Sequence, residues 1–376
     1  MSKLPKSVST ATSRLAQVSQ QFSSQAPLRQ QQARMAHKGT MHKLNTGASI
    51  PALGFGTWQD KEAQEPAVVA ALQAGVRHID TAAVYGTEPA VGSAIKKSGV
   101  PRSEIFLVTK IWNNSHAPED VEAALDTSLS NLGTDYVDLW YVYKGTASTS
   151  QQLPDDVSTS VSEDQDPDIT LPNSFSSNIG WLMHWPSAFA SGSSLFPKDS
   201  NGKVKAGSSD YVETYKAMEK LYKSGKARAI GVSNFSKAEM ERLIKETSVV
   251  PAVHQLELHP YLQQHEFAEW HRSQGIHVTQ YSPFGNSNEV YSKGQNLSKL
   301  IEDPTLVEVG KKYGKSGAQV ALAWGIAHGR SVIPKSKTPA RIQQNVEGDF
   351  ELKLRFNDPS ANFGWNFYQD LDGKEA

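Results

Sequence analysis

From residue 41 onward, short apolar runs that stop at polar or ionisable residues alternate with stretches of helical period. Runs at 53–57 and 76–80 stop at Trp58 and Asp80; six more stop at Lys110, His184, Ser233 with Asn234, Glu257, Ser282 and Lys335. Between them lie helix-like stretches at 66–74, 118–132, 211–224, 237–245 and 304–313, the first closed by Gly75. This alternation predicts parallel strands joined by crossover helices. Eight such strands predict an α/β fold, a (β/α)8 TIM barrel, with its chemistry at the C-terminal ends of the strands. Segments 41–44 and 49–52 flank Asn45, Thr46 and Gly47 and predict an N-terminal hairpin capping the base of the barrel. The polar strand endings then gather at the opposite mouth.

The pattern breaks inside one strand. Residues 135–140 and 182–184 would join into a single buried strand ending in His184. The intervening residues 141–181 are rich in Ser, Thr, Asp and Pro and show no helical period. A structureless loop of that length is uncommon inside a compact domain. It reads either as a lid or as sequence foreign to the native design, such as a retained intron. Its position within a strand favours the second.

Composition narrows the partners. The 376 residues suffice for one large barrel with extensions or for two ordinary domains. A net charge of -1 gives no electrostatic case for nucleic acid or a membrane surface. No apolar run approaches the ~20 residues that span a bilayer. With no cysteine there is neither a disulfide framework nor a thiolate nucleophile, and no cluster shows metal-ligand spacing. Residues 1–59 contain no Asp or Glu, and residues 1–34 are rich in Ser and Gln. Residues 1–40 are expected to be a disordered tail, or sequence upstream of a start at Met35, in a cytoplasmic protein. The alternative is a mitochondrial presequence.

The candidate chemistry centres on Arg77-His78-Ile79-Asp80-Thr81-Ala82-Ala83-Val84-Tyr85-Gly86. A phenol with its reference pKa of about 10 is a poor proton donor or acceptor near neutrality. A neighbouring cation favours its ionised form. Lys110, closing Ile105-Phe106-Leu107-Val108-Thr109, is a candidate for that cation, and His184 closes a third run. A second signal is the segment 333–345, which leaves the last strand and opens a helix. Ser336, Thr338 and the helix start offer hydroxyls and N–H groups to a phosphate, while Lys335 and Arg341 supply positive charge.

These residues and spacings resemble the aldo-keto reductase signature, and the resemblance covers most of the chain. It implies NADP(H)-dependent reduction of aldehydes or aldoses to alcohols, and the reverse polyol oxidation. Tyr85 then matches the general acid, Lys110 the ammonium that lowers its pKa, Asp80 the carboxylate paired with that lysine, and His184 the imidazole that orients the carbonyl. Ser233, Asn234 and Gln255 match groups that hold the nicotinamide amide, Tyr281 the ring stacked on it, and Ser282 a neighbour of a phosphate. Lys335, Ser336, Thr338, Arg341, Gln344 and Asn345 match the segment that holds the 2′-phosphate. Thr57 and Trp58 complete the cofactor set. Trp58, Trp112, His184 and Trp185 match the substrate wall.

The same resemblance makes 41–352 the barrel and 353–376 a C-terminal loop, with no room between Glu351 and Leu354 for the helix usual there. Its tail is most like the fungal NADP-dependent glycerol dehydrogenase and aldose reductase type. The expected partner is a small carbonyl or polyol, bound by a monomer or weak dimer. The competing expectation is a barrel that binds NADP(H) with little turnover and serves as a regulatory or interaction subunit.

Overall fold

The computed structural model describes residues 39–143, 188–285 and 299–349. Eight strands lie side by side in chain order, each parallel to the next. They are β3 (Phe55–Gly56), β4 (His78–Asp80), β5 (Phe106–Lys110), β6 (Leu139–Tyr143), β7 (Ile230–Ser233), β8 (Val253–Glu257), β9 (His277–Tyr281) and β10 (Ser331–Val332). The first and last meet through a parallel bridge between Leu53 and Val332. Gly54 N–H donates to Val332 O at 2.8 Å, and Gly56 N–H to Pro334 O at 3.0 Å. The sheet is thus a nearly closed (β/α)8 barrel.

The expected hairpin is β1 (Met41–Lys43) paired antiparallel with β2 (Ser49–Pro51). Its Leu44 and Ile50 pack against Phe106, Val108 and Leu139 from the barrel strands, so the hairpin plugs the base. A second apolar layer, including Leu72, Ile79, Leu107, Leu125 and Met218, binds strands to the surrounding helices.

Those helices are α1 (Lys61–Gln73), α2 (Glu88–Ser98), α3 (Val121–Leu132), α4 (Tyr211–Ser224), α5 (Lys237–Glu246), α6 (His265–Ser273), α7 (Pro304–Tyr313), α8 (Gly317–Ala327) and α9 (Pro339–Val346). Local chemistry sets several boundaries. Ser236 with Glu239, and Ser316 with Gln319, form capping boxes that satisfy orphan N–H groups at the starts of α5 and α8. Helix α1 starts five residues before the expected Pro66. Pro66 removes one helical hydrogen bond and crowds the carbonyl four residues earlier, and burial of Ala67, Val68, Ala71 and Leu72 holds the helix against that cost. Helix α8 escapes sequence periodicity because nearly all its residues are buried.

The sequence pattern ends the fourth barrel strand at Trp140 and resumes it at Leu182. In the structure β6 runs on through the chain's own Tyr141, Val142 and Tyr143. Tyr141 pairs with Lys110 on one side and Gly231 on the other, and Tyr143 pairs with Ser233. Aromatic and β-branched residues suit a strand, which explains how these three prolong it. Gly231 makes room: a Cβ there would lie 2.9 Å from the Tyr141 ring and 2.4 Å from Val253 O. Residues 144–187, with His184 and Trp185, lie outside the described residues, as do 1–38, 286–298 and 350–376.

Candidate active site

Neighbouring strands β4 and β5 deliver Asp80 and Lys110 to the same end of the barrel. Both side chains are almost fully enclosed, at 2 % and 1 % exposure. A lone ion there would carry a large desolvation penalty, so each is paired. Lys110 Nζ donates to Asp80 Oδ1 at 2.5 Å and to Thr81 O at 2.9 Å. The second carboxylate oxygen, Oδ2, accepts from Gln255 Nε2 at 2.8 Å. Burial lowers the Lys110 pKa from its ordinary value, and the Asp80 charge opposes that shift.

Tyr85 ends a short 3-10 turn, Ala83–Tyr85, just beyond β4. It is half-buried, and Lys110 Nζ lies 5.3 Å from its ring centroid. The structure therefore brings Asp80, Tyr85 and Lys110 together. A cation close to a phenol oxygen favours loss of its proton.

The other strand endings line the same mouth. Ser233 Oγ and Asn234 N–H both donate to Gln255 O, at 3.0 and 3.1 Å. Tyr281 OH donates to Asn234 Oδ1 at 3.0 Å. Asn234 and Ser282 adopt left-handed backbone, with φ of 60° and 47°. Non-glycine residues held in that region cluster at functional sites. Thr57 is buried and its Oγ1 donates to Asp80 O at 3.1 Å, while Trp58 follows it, half-buried.

Beyond β10, Thr338 precedes α9 but caps none of its N–H groups through its side chain, and Pro339 opens the helix. That leaves a helix N-terminus suited to an anion. Ser336 is half-buried, whereas Thr338, Arg341 and Gln344 are exposed, with Asn345 half-buried one turn on. Ser336 Oγ accepts from Thr338 N–H at 3.2 Å. Lys335 and Lys337 both reach the Asp60 carboxylate, the latter at 3.3 Å. Lys335 above all holds the Asp60 carboxyl below its ordinary pKa.

Trp112 is enclosed by Phe189 and Phe196 at 5.9 and 5.6 Å between ring centroids, and its Nε1 donates to Leu195 O at 2.7 Å. Val84 joins this cluster, which stands beside Tyr85. His184 and Trp185 lie outside the described residues. Among the described residues no group of three or more His, Cys, Asp or Glu could hold a metal, and no helix is long and apolar enough to cross a membrane.

Two residues of the mouth escape sequence reading. Tyr141 is buried beside this set, with Lys110 Nζ 5.8 Å from its ring centroid. Burial first, then Asp80, raises its pKa well above the ordinary value. Strand alternation from Leu139 would have placed Tyr141 inward. Asp60 offers no such signal, because its lysine partners lie 275 and 277 residues away in sequence.

The chain matches the model of the Aldo/keto reductase family over residues 52–355. It is 43% identical to an uncharacterized oxidoreductase of Schizosaccharomyces pombe over 307 residues, covering 81% of this chain and 82% of that one. It is 37% identical to the Homo sapiens aldo-keto reductase family 1 member A1, with 81% and 82% covered. Among solved structures, the aldose reductase from Schistosoma japonicum superposes with a TM-score of 0.67 at 30% identity, covering 84% of this chain and 88% of that one. On its sequence, its barrel and its relatives, the chain belongs to the aldo/keto reductase family.

Proposed function

We propose that the protein reduces aldehydes, including aldoses and glyceraldehyde-like compounds, with NADPH, and oxidises the corresponding polyols in reverse. The observation that carries this is the buried Asp80–Lys110 pair with its ammonium 5.3 Å from the Tyr85 ring. Asp80 and Gln255 fix the lysine, and the lysine favours departure of the Tyr85 proton. The uncapped start of α9 with Lys335 and Arg341, and the Ser233, Asn234, Gln255 and Tyr281 group, fit the two ends of a nicotinamide dinucleotide. When bound, that cofactor supplies hydride to the carbonyl carbon. Tyr85 then gives its proton to the carbonyl oxygen, which would otherwise carry alkoxide charge. His184 is assigned, by resemblance, to orienting that carbonyl. The resemblance of the tail to fungal glycerol dehydrogenases places glyceraldehyde among the substrates to test first.

A second reading has support of its own. Tyr143 ends β6 opposite Ser233. A barrel lacking the imidazole at that strand end would bind the cofactor with little turnover, as a regulatory subunit would. One experiment separates the two: NADPH oxidation with glyceraldehyde, alongside cofactor binding by fluorescence quenching. It is run on the full chain, on Tyr85→Phe, and on a deletion of 141–181 that moves Leu182, Met183 and His184 into β6. Loss of a positioned general acid costs about 10²–10⁴ in rate. Tyr85→Phe should therefore bind NADPH normally and lose turnover by that factor in whichever background turns over. A Tyr85→Phe rate within about threefold of its parent would sink the mechanism. Turnover that appears only in the deletion favours the second reading for this chain.

A further inference from the structure

At the base of the barrel, away from the catalytic mouth, lies a cavity of about 260 Å³. It opens between β1, the C-terminal ends of α6 and α8, and the starts of β9 and β10. Its lining includes His42, Lys43, Arg272, His277, His328 and Arg330, and no carboxylate.

The hydrogen bonds fix the tautomer of each histidine. His42 Nε2 meets Arg330 O at 3.2 Å, and His328 Nδ1 meets Trp324 O at 2.8 Å; a carbonyl only accepts, so both nitrogens carry hydrogen. His277 Nε2 meets Ser331 Oγ at 2.8 Å, whose own hydrogen goes to Pro51 O at 3.1 Å, so this nitrogen also donates. The second nitrogen of each ring has no protein partner among the described residues. In the neutral state all three are lone-pair acceptors. Protonation turns each into a donor.

The surrounding charges explain why they stay neutral without a ligand. Burial lowers the pKa of each from its ordinary value: that of His42, that of His277 well below it with His42 and His78 adding to the effect, and that of His328 to about 4, with Arg330, His265 and Arg272 adding. The fixed cations are Lys43, Arg272 and Arg330. Glu269 pairs with Arg272 at 2.8 Å, and Asp349 acts on His42. Each helix C-terminus contributes about half a negative charge. With neutral imidazoles the local sum is close to zero. Each proton added leaves an uncompensated positive charge around the cavity.

We propose that this cavity is a binding site for a tetrahedral oxyanion, taken up together with protons. A carboxylate-free lining with side-chain donors of three residue types suits a sulfate or phosphate group. A bound dianion would lift the three histidines back towards their ordinary pKa by direct charge pairing.

The test is calorimetric titration of the full chain with sulfate, which does not itself titrate near neutrality, at pH 6 and pH 8. Buffers of different ionisation enthalpy report proton uptake. Affinity should rise about tenfold from pH 8 to pH 6, with net proton uptake at pH 6. Lys43→Gln with Arg272→Gln changes two exposed side chains, so the fold is retained, and should weaken binding about tenfold. Lys335→Gln, at the opposite end of the barrel, weakens only sulfate held at the start of α9, so the pH-dependent component should remain. The proposal is overturned if affinity is independent of pH, if the double variant binds as the parent does, or if Lys335→Gln abolishes the signal. Repeating the titration with inorganic phosphate and with glycerol phosphate distinguishes a free ion from a phosphate ester. Failure of both to bind would overturn the phosphate class and leave sulfate as an adventitious ion only.

Discussion

The two faces of β8 solve the same problem in opposite ways. Gln255 points into the barrel and donates to Asp80, which is paired with Lys110. His254, its neighbour in sequence, points outward to α6 and is equally buried. There the hydrogen bonds dictate neutrality. Phe235 N–H donates to His254 Nε2 at 3.0 Å, so Nδ1 holds the proton and gives it to His271 Nε2 at 2.7 Å; His271 Nδ1 then donates to Phe267 O at 2.5 Å. Burial depresses both pKa values, His254 far below its ordinary range and His271 to about 4. On the inner face a counter-charge and a fixed donor meet the buried ion, whereas on the outer face the buried histidines have neither and stay neutral.

The largest expected effect comes from breaking the inner pair. Lys110→Met leaves Asp80 buried with Gln255 alone, which should cost about 3–5 kcal/mol of stability. Turnover should fall by about 10²–10⁴, because the Tyr85 proton loses its cation. Adding Asp80→Asn removes the stranded charge. The double variant should recover most of the urea midpoint and none of the turnover. A double variant that reduces glyceraldehyde at the parent rate would show that the pair serves folding only.

The outer pair predicts a pH dependence of definite sign. Both folded-state pKa values lie below the unfolded value near 6.5, so the native state binds fewer protons. The stability from this pair is fully present above about pH 6.5 and is lost as pH falls from there towards about 4. Two such groups give a slope of up to about 2.7 kcal/mol per pH unit within that window. His42, His277 and His328 titrate in the same direction, so the useful quantity is a difference. Replacing His254 and His271 together by Asn should flatten the dependence of the urea midpoint on pH. An unchanged slope would mean that the pair opens to solvent before it titrates.

Sequence legibility follows the same division. Asp80 and Lys110 stand where apolar runs stop, at spacings a family signature preserves, and the structure pairs them. The hairpin plug and the parallel order of the barrel are likewise written in local periodicity. His254 and His271 lie within apolar and amphipathic stretches that give no local sign of pairing, because the contact is made by packing α6 on β8. At β6 the chain offers two endings for one strand, Tyr141-Val142-Tyr143 and Leu182-Met183-His184, and periodicity favours the second while the fold is built with the first. Both satisfy the preference for apolar and aromatic strand residues, so pattern alone does not choose.

The smallest expected effect lies at the exposed rim, where the inner-face logic weakens because water screens the charges. Asp60 precedes α1 yet caps none of its N–H groups through its side chain. Its carboxylate instead reaches Lys335 and Lys337, from a backbone in which Gln59 and Asp60 are both left-handed, with φ of 65° and 55°. A nucleotide phosphate at the start of α9 must compete with that carboxylate for Lys335. Asp60→Asn should therefore tighten NADPH binding, by at most about fivefold, since partly exposed pairs are worth about 0.2–1 kcal/mol. NADH binding should change less, having no 2′-phosphate. Arg341→Ala should act in the opposite sense and weaken NADPH far more than NADH, through loss of a charge-assisted contact. Fluorescence titration of both cofactors against both variants reads the four constants. Equal changes for NADPH and NADH in Arg341→Ala would make that arginine structural. A weaker NADPH complex in Asp60→Asn would show that the carboxylate orders the site and does not compete for it.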